Sequence, residues 1–137
     1  MTAATLAPGT AAPTRTVGPI SRSDIVRYAG ASGDFNPIHH DDDFARAAGF
    51  SSVFSMGMLP ASLLAAYVSD WLGPANLRHV SVRFREQVWP GDTLTLAAVV
   101  TDVDRTIAPP MVTLELRCTR QDGLLAIAGQ ADFVVPS

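Results

Sequence analysis

A single long apolar helix, predicted over residues 57–72, constrains the possible folds of this chain more than any other feature. Pro60 fits only in the first turn of such a helix, and Gly73-Pro74 is a stop signal. The polar residues between these limits are Ser62, Ser69 and Asp70. A helix that is apolar on most sides is buried, and the absence of Lys and Arg from it argues against a membrane-surface helix. The remaining chain must therefore cover this helix.

The residues after Pro74 change from helical to alternating periodicity. Val80, Val82 and Phe84 alternate with polar side chains, which predicts a half-buried strand. The other predicted elements are strands over 93–103, 111–120 and 124–135, a short edge strand over 14–20, and helices over 24–31 (capped by Ser21 or Ser23) and 42–48. One long buried helix followed by consecutive antiparallel strands predicts an α+β fold in which the sheet covers the helix.

Length and charge narrow the domain organisation and the partners. A chain of 137 residues forms one domain, which we predict over residues 13–137, preceded by a flexible N-terminal tail over residues 1–12 that is rich in small residues, Gly and Pro. The formal net charge is −3 and there is no basic tract. The sequence therefore predicts neither a nucleic-acid partner nor a membrane partner.

The cysteine content and the N-terminus bear on the compartment. Cys118 is the only cysteine, so no internal disulfide can form, and its alternation with Leu114 and Leu116 predicts a small buried hydrophobic residue rather than a nucleophile. The first residues lack the basic segment and apolar run of a secretory signal, and no stretch reaches the ~18 consecutive apolar residues of a membrane span. We therefore expect a cytoplasmic protein.

The stretch over residues 28–40, Tyr-Ala-Gly-Ala-Ser-Gly-Asp-Phe-Asn-Pro-Ile-His-His, is the most informative about function. Gly33 permits a sharp turn and Pro37 rigidifies it, so Asp34 and His39 can share one water or substrate proton. A histidine with a near-neutral pKa beside a carboxylate is suited to proton transfer. The alternative is that Asp34 caps the turn while His39 hydrogen-bonds the backbone.

The same stretch raises the question of a metal site, because His39 and His40 precede the aspartates of residues 41–43. Adjacent histidines usually point in different directions. The acidic run is also typical of the first turn of a helix, where carboxylates complement the exposed N–H groups. We therefore predict no metal and no cofactor.

These residues carry a resemblance to a known family. Residues 32–39, Ser-Gly-Asp-Phe-Asn-Pro-Ile-His, resemble the hydratase signature of the MaoC-like dehydratases, the (R)-specific enoyl-CoA hydratase branch of the hot-dog fold. The segments 42–50, 57–59 and 89–94 are similar to further segments of that family. The resemblance extends over residues 20–135 and implies a hot-dog fold, which is the arrangement that the periodicity predicts independently.

The resemblance also implies an activity and the residues that carry it. The family members are hydro-lyases that reversibly hydrate 2-enoyl thioesters and dehydrate (R)-3-hydroxyacyl thioesters, carried on CoA or on acyl carrier protein. It favours Asp34 and His39 as the catalytic pair, with Asn36 as a supporting residue. It assigns the oxyanion hole to the backbone amide of Gly57, at a helix N-terminus where amides lack intrahelical partners. The alternative is that Gly57 serves only the turn into the helix.

The sequence departs from the family immediately before Gly57. Family members commonly have His there, in Ala-His-Gly-Met, whereas this chain has Met56 between Ser55 and Gly57. Methionine neither ionises nor donates a proton, so any help from a histidine is absent. Met56 and Met58 are candidates for an apolar acyl pocket, with plain core packing as the alternative.

Several alternatives remain open. One alternative is an acyl thioesterase, because hot-dog folds also include these enzymes. Another is a non-catalytic subunit of a heterodimeric dehydratase, because Met56 stands where the family commonly has histidine. Arg83 and Arg85 share one face of their strand and could meet carrier phosphates, although a solvated strand face is the preferred interpretation. An open sheet edge and an apolar content of 47% predict that the chain is not a monomer. The resemblance implies that two subunits pair through a two-fold axis as a homodimer, with a heterodimer as the alternative.

Overall fold

The computed structural model describes residues 1–136 and packs one long helix against a five-stranded antiparallel sheet. The helices are α1 (Arg22–Ser32), α2 (Asp42–Ala47) and α3 (Met58–Leu72). The strands are β1 (Arg15–Val17), β2 (Leu77–Phe84), β3 (Leu94–Asp104), β4 (Met111–Arg120) and β5 (Leu125–Val134). In the sheet they follow the order β1-β3-β4-β5-β2. The predicted α+β fold, with a sheet covering a central helix, is confirmed.

The central helix α3 begins and ends as its sequence predicts. Gly57 is its N-cap, and Gly73 ends it with a φ of 91°, a conformation that glycine adopts without steric cost. Leu64 and Val68 are completely buried between this helix and the sheet. Tyr67 reaches past the helix and donates a hydrogen bond to the carbonyl of Pro13. The helix is therefore the centre of the core.

Helix α1 is held at both ends by side-chain and backbone signals. The Ser21 hydroxyl accepts a hydrogen bond from the Asp24 N–H, and the Asp24 carboxylate accepts one from the Ser21 N–H. This reciprocal pair is a capping box, so Ser21 rather than Ser23 is the cap. At the other end Gly33 adopts a left-handed φ of 73°. The chain leaves α1 there and enters the loop that contains Asp34 and His39.

The acidic run serves helix α2, as its composition predicts. Asp41 is the N-cap, and its carboxylate accepts hydrogen bonds from the N–H groups of Asp43 and Phe44.

Cys118 is buried, as its alternation with leucines predicts, and burial raises the pKa of its thiol to about 11. Among residues 1–136, none of the helices combines the length and hydropathy that a bilayer crossing requires.

Residues 1–12, for which the sequence predicts a flexible tail, contact the rest of the domain in the structure. Leu6 is 0% exposed, and the Ala3 N–H donates to the carbonyl of Pro136. The Arg105 guanidinium donates to the carbonyls of both Ala3 and Leu6, at 3.0 and 2.8 Å. The small residues let this segment lie close against the sheet, and a lone leucine among them gives no periodicity from which burial could be read.

Candidate active site

The loop that follows α1 folds Asp34 and His39 toward each other. Asn36 caps a short 3₁₀ turn over Pro37–His39, because its side-chain oxygen accepts a hydrogen bond from the Ile38 N–H at 3.1 Å. The Asn36 N–H lies 3.3 Å from an Asp34 carboxylate oxygen. The turn brings His39 Nε2 to 3.6 Å from Asp34 Oδ2. Asn36 therefore shapes the loop.

A backbone carbonyl determines how the His39 ring is protonated. His39 Nδ1 lies 2.7 Å from the carbonyl oxygen of Phe54, which can only accept a hydrogen bond. Nδ1 therefore carries a proton, and in the neutral ring Nε2 has the free lone pair. That nitrogen is the one directed at Asp34. The ring is buried and the carboxylate is half-exposed, so substrate or water can approach from the side of Asp34.

The separation of 3.6 Å between Nε2 and the carboxylate is longer than a good hydrogen bond. A reacting water or substrate atom can therefore approach both groups, and catalytic contacts commonly tighten only when the substrate is bound. The pair can accept a proton from one atom and return a proton to another. His40 takes no part, because its ring is directed at the carbonyl of Phe35.

An aromatic cluster supports the His39 ring from behind. The Phe54 ring meets it edge-on, with ring centroids 5.5 Å apart and planes at 88°. Phe50 and Trp89 pack on Phe54 with centroid distances of 4.6 and 5.5 Å. Such contacts stabilise aromatic pairs beyond their buried area. Sequence reasoning missed Phe54, because its polar contact uses a backbone carbonyl that every residue possesses.

A cavity of about 370 Å³ adjoins the pair and reaches the start of α3. Its lining includes Asp34, Met56, Gly57, Met58 and Phe84. Four residues that the sequence predicts for the site, Asp34, Met56, Gly57 and Met58, therefore line one cavity. His39 is adjacent to it, because its Nε2 is directed at the carboxylate of Asp34. Of the two methionines, Met56 is buried and Met58 is half-exposed, so only Met56 belongs to the core. Arg85 also lines this cavity, whereas Arg83 lies outside it on an exposed part of β2.

Gly57 is required by a close approach rather than by its backbone conformation. Its φ of −59° is open to any residue, but a Cβ built on it would lie 2.6 Å from the ring of Phe84. Within residues 1–136 the Gly57 N–H donates no backbone hydrogen bond. A free amide at a helix N-terminus, beside the cavity, is suited to stabilise a negatively charged oxygen.

Comparison with known proteins places the chain in a family. Residues 3–119 match the family described as MaoC like domain. The chain belongs to this family. The (R)-specific enoyl-CoA hydratase of Rhodospirillum rubrum is 35% identical over 120 residues, which cover 86% of this chain and 81% of that protein. The mitochondrial 3-hydroxyacyl-acyl-carrier-protein dehydratase of Solanum lycopersicum is 28% identical over 83% of this chain and 69% of its own length.

A solved structure shares the whole fold. The unliganded R-hydratase PhaJ1 of Pseudomonas aeruginosa superposes with a TM-score of 0.87 and 28% identity, over 99% of this chain and 86% of that one. This member of the MaoC-like family therefore has the hot-dog fold that the sequence resemblance implies.

Proposed function

We propose that this protein is a hydro-lyase that reversibly adds water to 2-enoyl thioesters, giving (R)-3-hydroxyacyl thioesters on CoA or acyl carrier protein. The observation that carries the proposal is His39 Nε2 facing the Asp34 carboxylate at 3.6 Å, beside a cavity bordered by the Gly57 amide. Membership of the MaoC-like family and the names of the two relatives support this reaction class.

Asp34 and His39 act as the acid/base pair. In hydration, one of them removes a proton from water as the water oxygen bonds to C3 of the enoyl group. The electron pair of the double bond moves toward the thioester, and the other residue, which holds the single exchangeable proton of the pair at the start of the step, delivers it to C2. The proton taken from water then replaces it on the pair. Dehydration reverses each step. The hydrogen bond from His39 Nδ1 to Phe54 keeps Nε2 as the ring atom that exchanges protons.

The Gly57 amide stabilises the charge that develops during this step. As C2 becomes electron-rich, negative charge accumulates on the thioester carbonyl oxygen, and a fixed N–H donor lowers the energy of that state. The apolar side chains of Met56 and Met58 line the same cavity as Gly57 and form the start of the proposed acyl pocket. Met56 also replaces the histidine that is common there, so any proton donated from that position is absent.

The active form that we propose is a homodimer. Met58 and Phe84 line the cavity and are 51% and 57% exposed, and Phe35, next to Asp34 in the chain, is 67% exposed. Strand β2, which carries Phe84, is an eight-residue edge of the sheet with no neighbour on its outer side among residues 1–136. Pairing of this edge with a second copy covers both its unpaired backbone groups and the apolar side chains.

Turnover of crotonyl-CoA and longer 2-enoyl-CoA thioesters by the purified protein tests the proposed reaction. We expect loss of the ultraviolet absorbance of the enoyl thioester, with formation of the (R)-3-hydroxyacyl product and no free thiol. Release of free thiol at the rate of substrate loss would identify a thioesterase instead. Activity only in the presence of a co-expressed homologue would identify a subunit of a heterodimer.

A further inference from the structure

The Phe54 carbonyl that determines the protonation of His39 lies in the loop between α2 and α3. This loop is held on both sides of Phe54. On the downstream side, the Ser55 N–H donates to the carbonyl of Val88 at 2.8 Å. On the upstream side, the N–H of Val53 donates to Oδ1 of Asp42 at 3.0 Å. Asp42 is thus the side chain outside the loop that anchors the residue next to Phe54.

The Asp42 carboxylate that anchors Val53 is itself held by an ion pair. Asp42 lies at the start of α2, and its Oδ1 also accepts hydrogen bonds from both terminal nitrogens of Arg22, at 3.2 and 3.3 Å. The Val53 bond and then the Arg22 bond hold the pKa of the Asp42 carboxyl below its ordinary value. Val53 is 2% exposed, so its N–H cannot exchange this acceptor for bulk water without opening the loop.

We infer that Asp42 is a positioning residue for the proposed acid/base pair. By holding Val53, it keeps the Phe54 carbonyl 2.7 Å from His39 Nδ1, and so keeps the free lone pair on Nε2, toward Asp34. Among residues 1–136, the hydrogen bonds and ion pairs of the Asp42 side chain go to Arg22 and Val53, neither of which lines the cavity, so Asp42 acts through the loop. The inference rests on the proposed function for its kinetic consequence, but the orientation of His39 can be measured without any turnover.

The test uses variants that separate the backbone contact from the charge. Asp42→Ala removes the acceptor, whereas Asp42→Asn leaves an amide oxygen that can still accept from Val53. Arg22→Ala removes the ion pair alone. Asp43→Ala is the matched control, because Asp43 is an acid in the same helical turn whose side chain is 97% exposed and contacts only Arg46.

We expect Asp42→Ala to lower kcat about tenfold with little change in KM, since a small misplacement of a catalytic group is costly. The other three variants should stay within about twofold of the unmodified protein, because each leaves the Val53 acceptor in place. An equal loss of kcat in Asp43→Ala, or an unchanged kcat in folded Asp42→Ala, would overturn the inference. If Asp42→Ala does not fold, Asp42→Ser takes its place with the same expectation, since its hydroxyl is shorter than the carboxylate.

Nitrogen-15 NMR of the His39 ring provides a readout that is independent of activity. The unmodified protein should show the neutral tautomer with the proton on Nδ1, and Asp42→Ala should show a mixture of both tautomers. A single Nδ1 tautomer in Asp42→Ala would contradict the inference even if kcat fell. Conversely, absence of turnover on enoyl-CoA with the tautomer shift present would count against the proposed function and leave the positioning role supported.

Discussion

His39 owes its orientation to a backbone carbonyl, so its chemistry depends on the path of a loop rather than on a third side chain. The ring is fixed by Phe54 on one nitrogen and faces Asp34 with the other. The half-exposed carboxylate and the buried imidazole of the proposed pair will respond differently to substitution. The consequences for activity and for stability can therefore be separated.

Replacement of either member of the pair should abolish most of the activity. Asp34→Asn and His39→Ala are each expected to lower kcat by about 10²–10⁴-fold, the usual contribution of a positioned proton-transfer group. Steady-state kinetics on crotonyl-CoA measures the loss. Asn36→Ala should lower kcat less, because Asn36 acts only on the shape of the loop.

Thermal unfolding supplies the control for these variants. Asp34→Asn should leave the melting temperature nearly unchanged, because the carboxylate is 42% exposed. His39→Ala should lower it, because the ring packs edge-on against Phe54. Near-normal turnover in either folded variant would refute the assignment of the pair.

The role proposed for Gly57 can be separated from simple crowding. Gly57→Val should lower kcat by about 10²-fold, more than its effect on stability explains, because the side chain obstructs the approach of the thioester carbonyl to the amide. Phe84 complicates the result, since its ring occupies the position that the new Cβ would take. Kinetics and thermal unfolding of the same samples test the expectation.

Phe84→Ala, alone and combined with Gly57→Val, is the matched control. The combined variant should recover stability, because the exposed Phe84 ring is the atom group that the Cβ meets. Its activity should remain low. Recovery of activity together with stability would show that Gly57 serves only the close packing and not the oxyanion.

At the level of elements, the end of helix α1 and the start of helix α2 fix the two ends of the loop that contains Asp34 and His39. Helix α1 ends at Gly33, the residue before Asp34, and α2 begins at Asp42, shortly after His39. The loop that carries the proposed acid/base pair therefore lies between two capped helices. Loss of a cap should reduce stability more than it reduces the catalytic rate.

The capping box of α1 gives a measurable stability difference. Ser21→Ala is expected to destabilise the protein by about 1 kcal/mol, as is usual for loss of an N-cap hydroxyl. Ser23→Ala is the matched control, since Ser23 is an exposed serine in the same turn that does not cap the helix. Chemical denaturation of both variants measures the difference. An equal loss in the two would mean that the cap contributes nothing.

The same capping box should give the stability a characteristic dependence on pH. Hydrogen bonds from the Ser21 backbone and hydroxyl hold the pKa of Asp24 below its ordinary value of 3.8. A carboxyl with a depressed folded-state pKa contributes stability above its unfolded pKa, and this contribution is lost as the pH falls through the folded pKa. Asp24→Ala should therefore be less stable than the unmodified protein at neutral pH, and the difference should narrow in acid below pH 3.8.

At the scale of the whole molecule, the open β2 edge predicts association. Light scattering at micromolar concentration should give twice the 14.5 kDa mass of the chain. Phe84→Glu should weaken the dimer, because it places a charge in the covered edge. Ile107→Glu is the control, since Ile107 is an exposed apolar residue in the turn between β3 and β4. A stable and active monomer would contradict the proposal.

Local patterns in the sequence determined most of the elements and the composition of the catalytic loop. The boundaries of α3, the caps of α1 and α2, and the alternation in β2 to β5 are written in residues that lie within a few positions of one another. The pairing of Asp34 with His39 is equally local, because one short turn joins them. Interactions of this range leave a signal in spacing and residue type.

Only the tertiary structure decided what holds this loop in place. The contacts of His39 with Phe54, Asp42 with Val53 and Gly57 with Phe84 join residues that are far apart in the chain. Two of the three use a backbone group, which is the same in every residue and so has no signature in the sequence. The burial of Leu6 was hidden for a related reason, because a single apolar residue has no period. The physical cause is shared, because each of these contacts depends on how separate segments of the chain pack against one another.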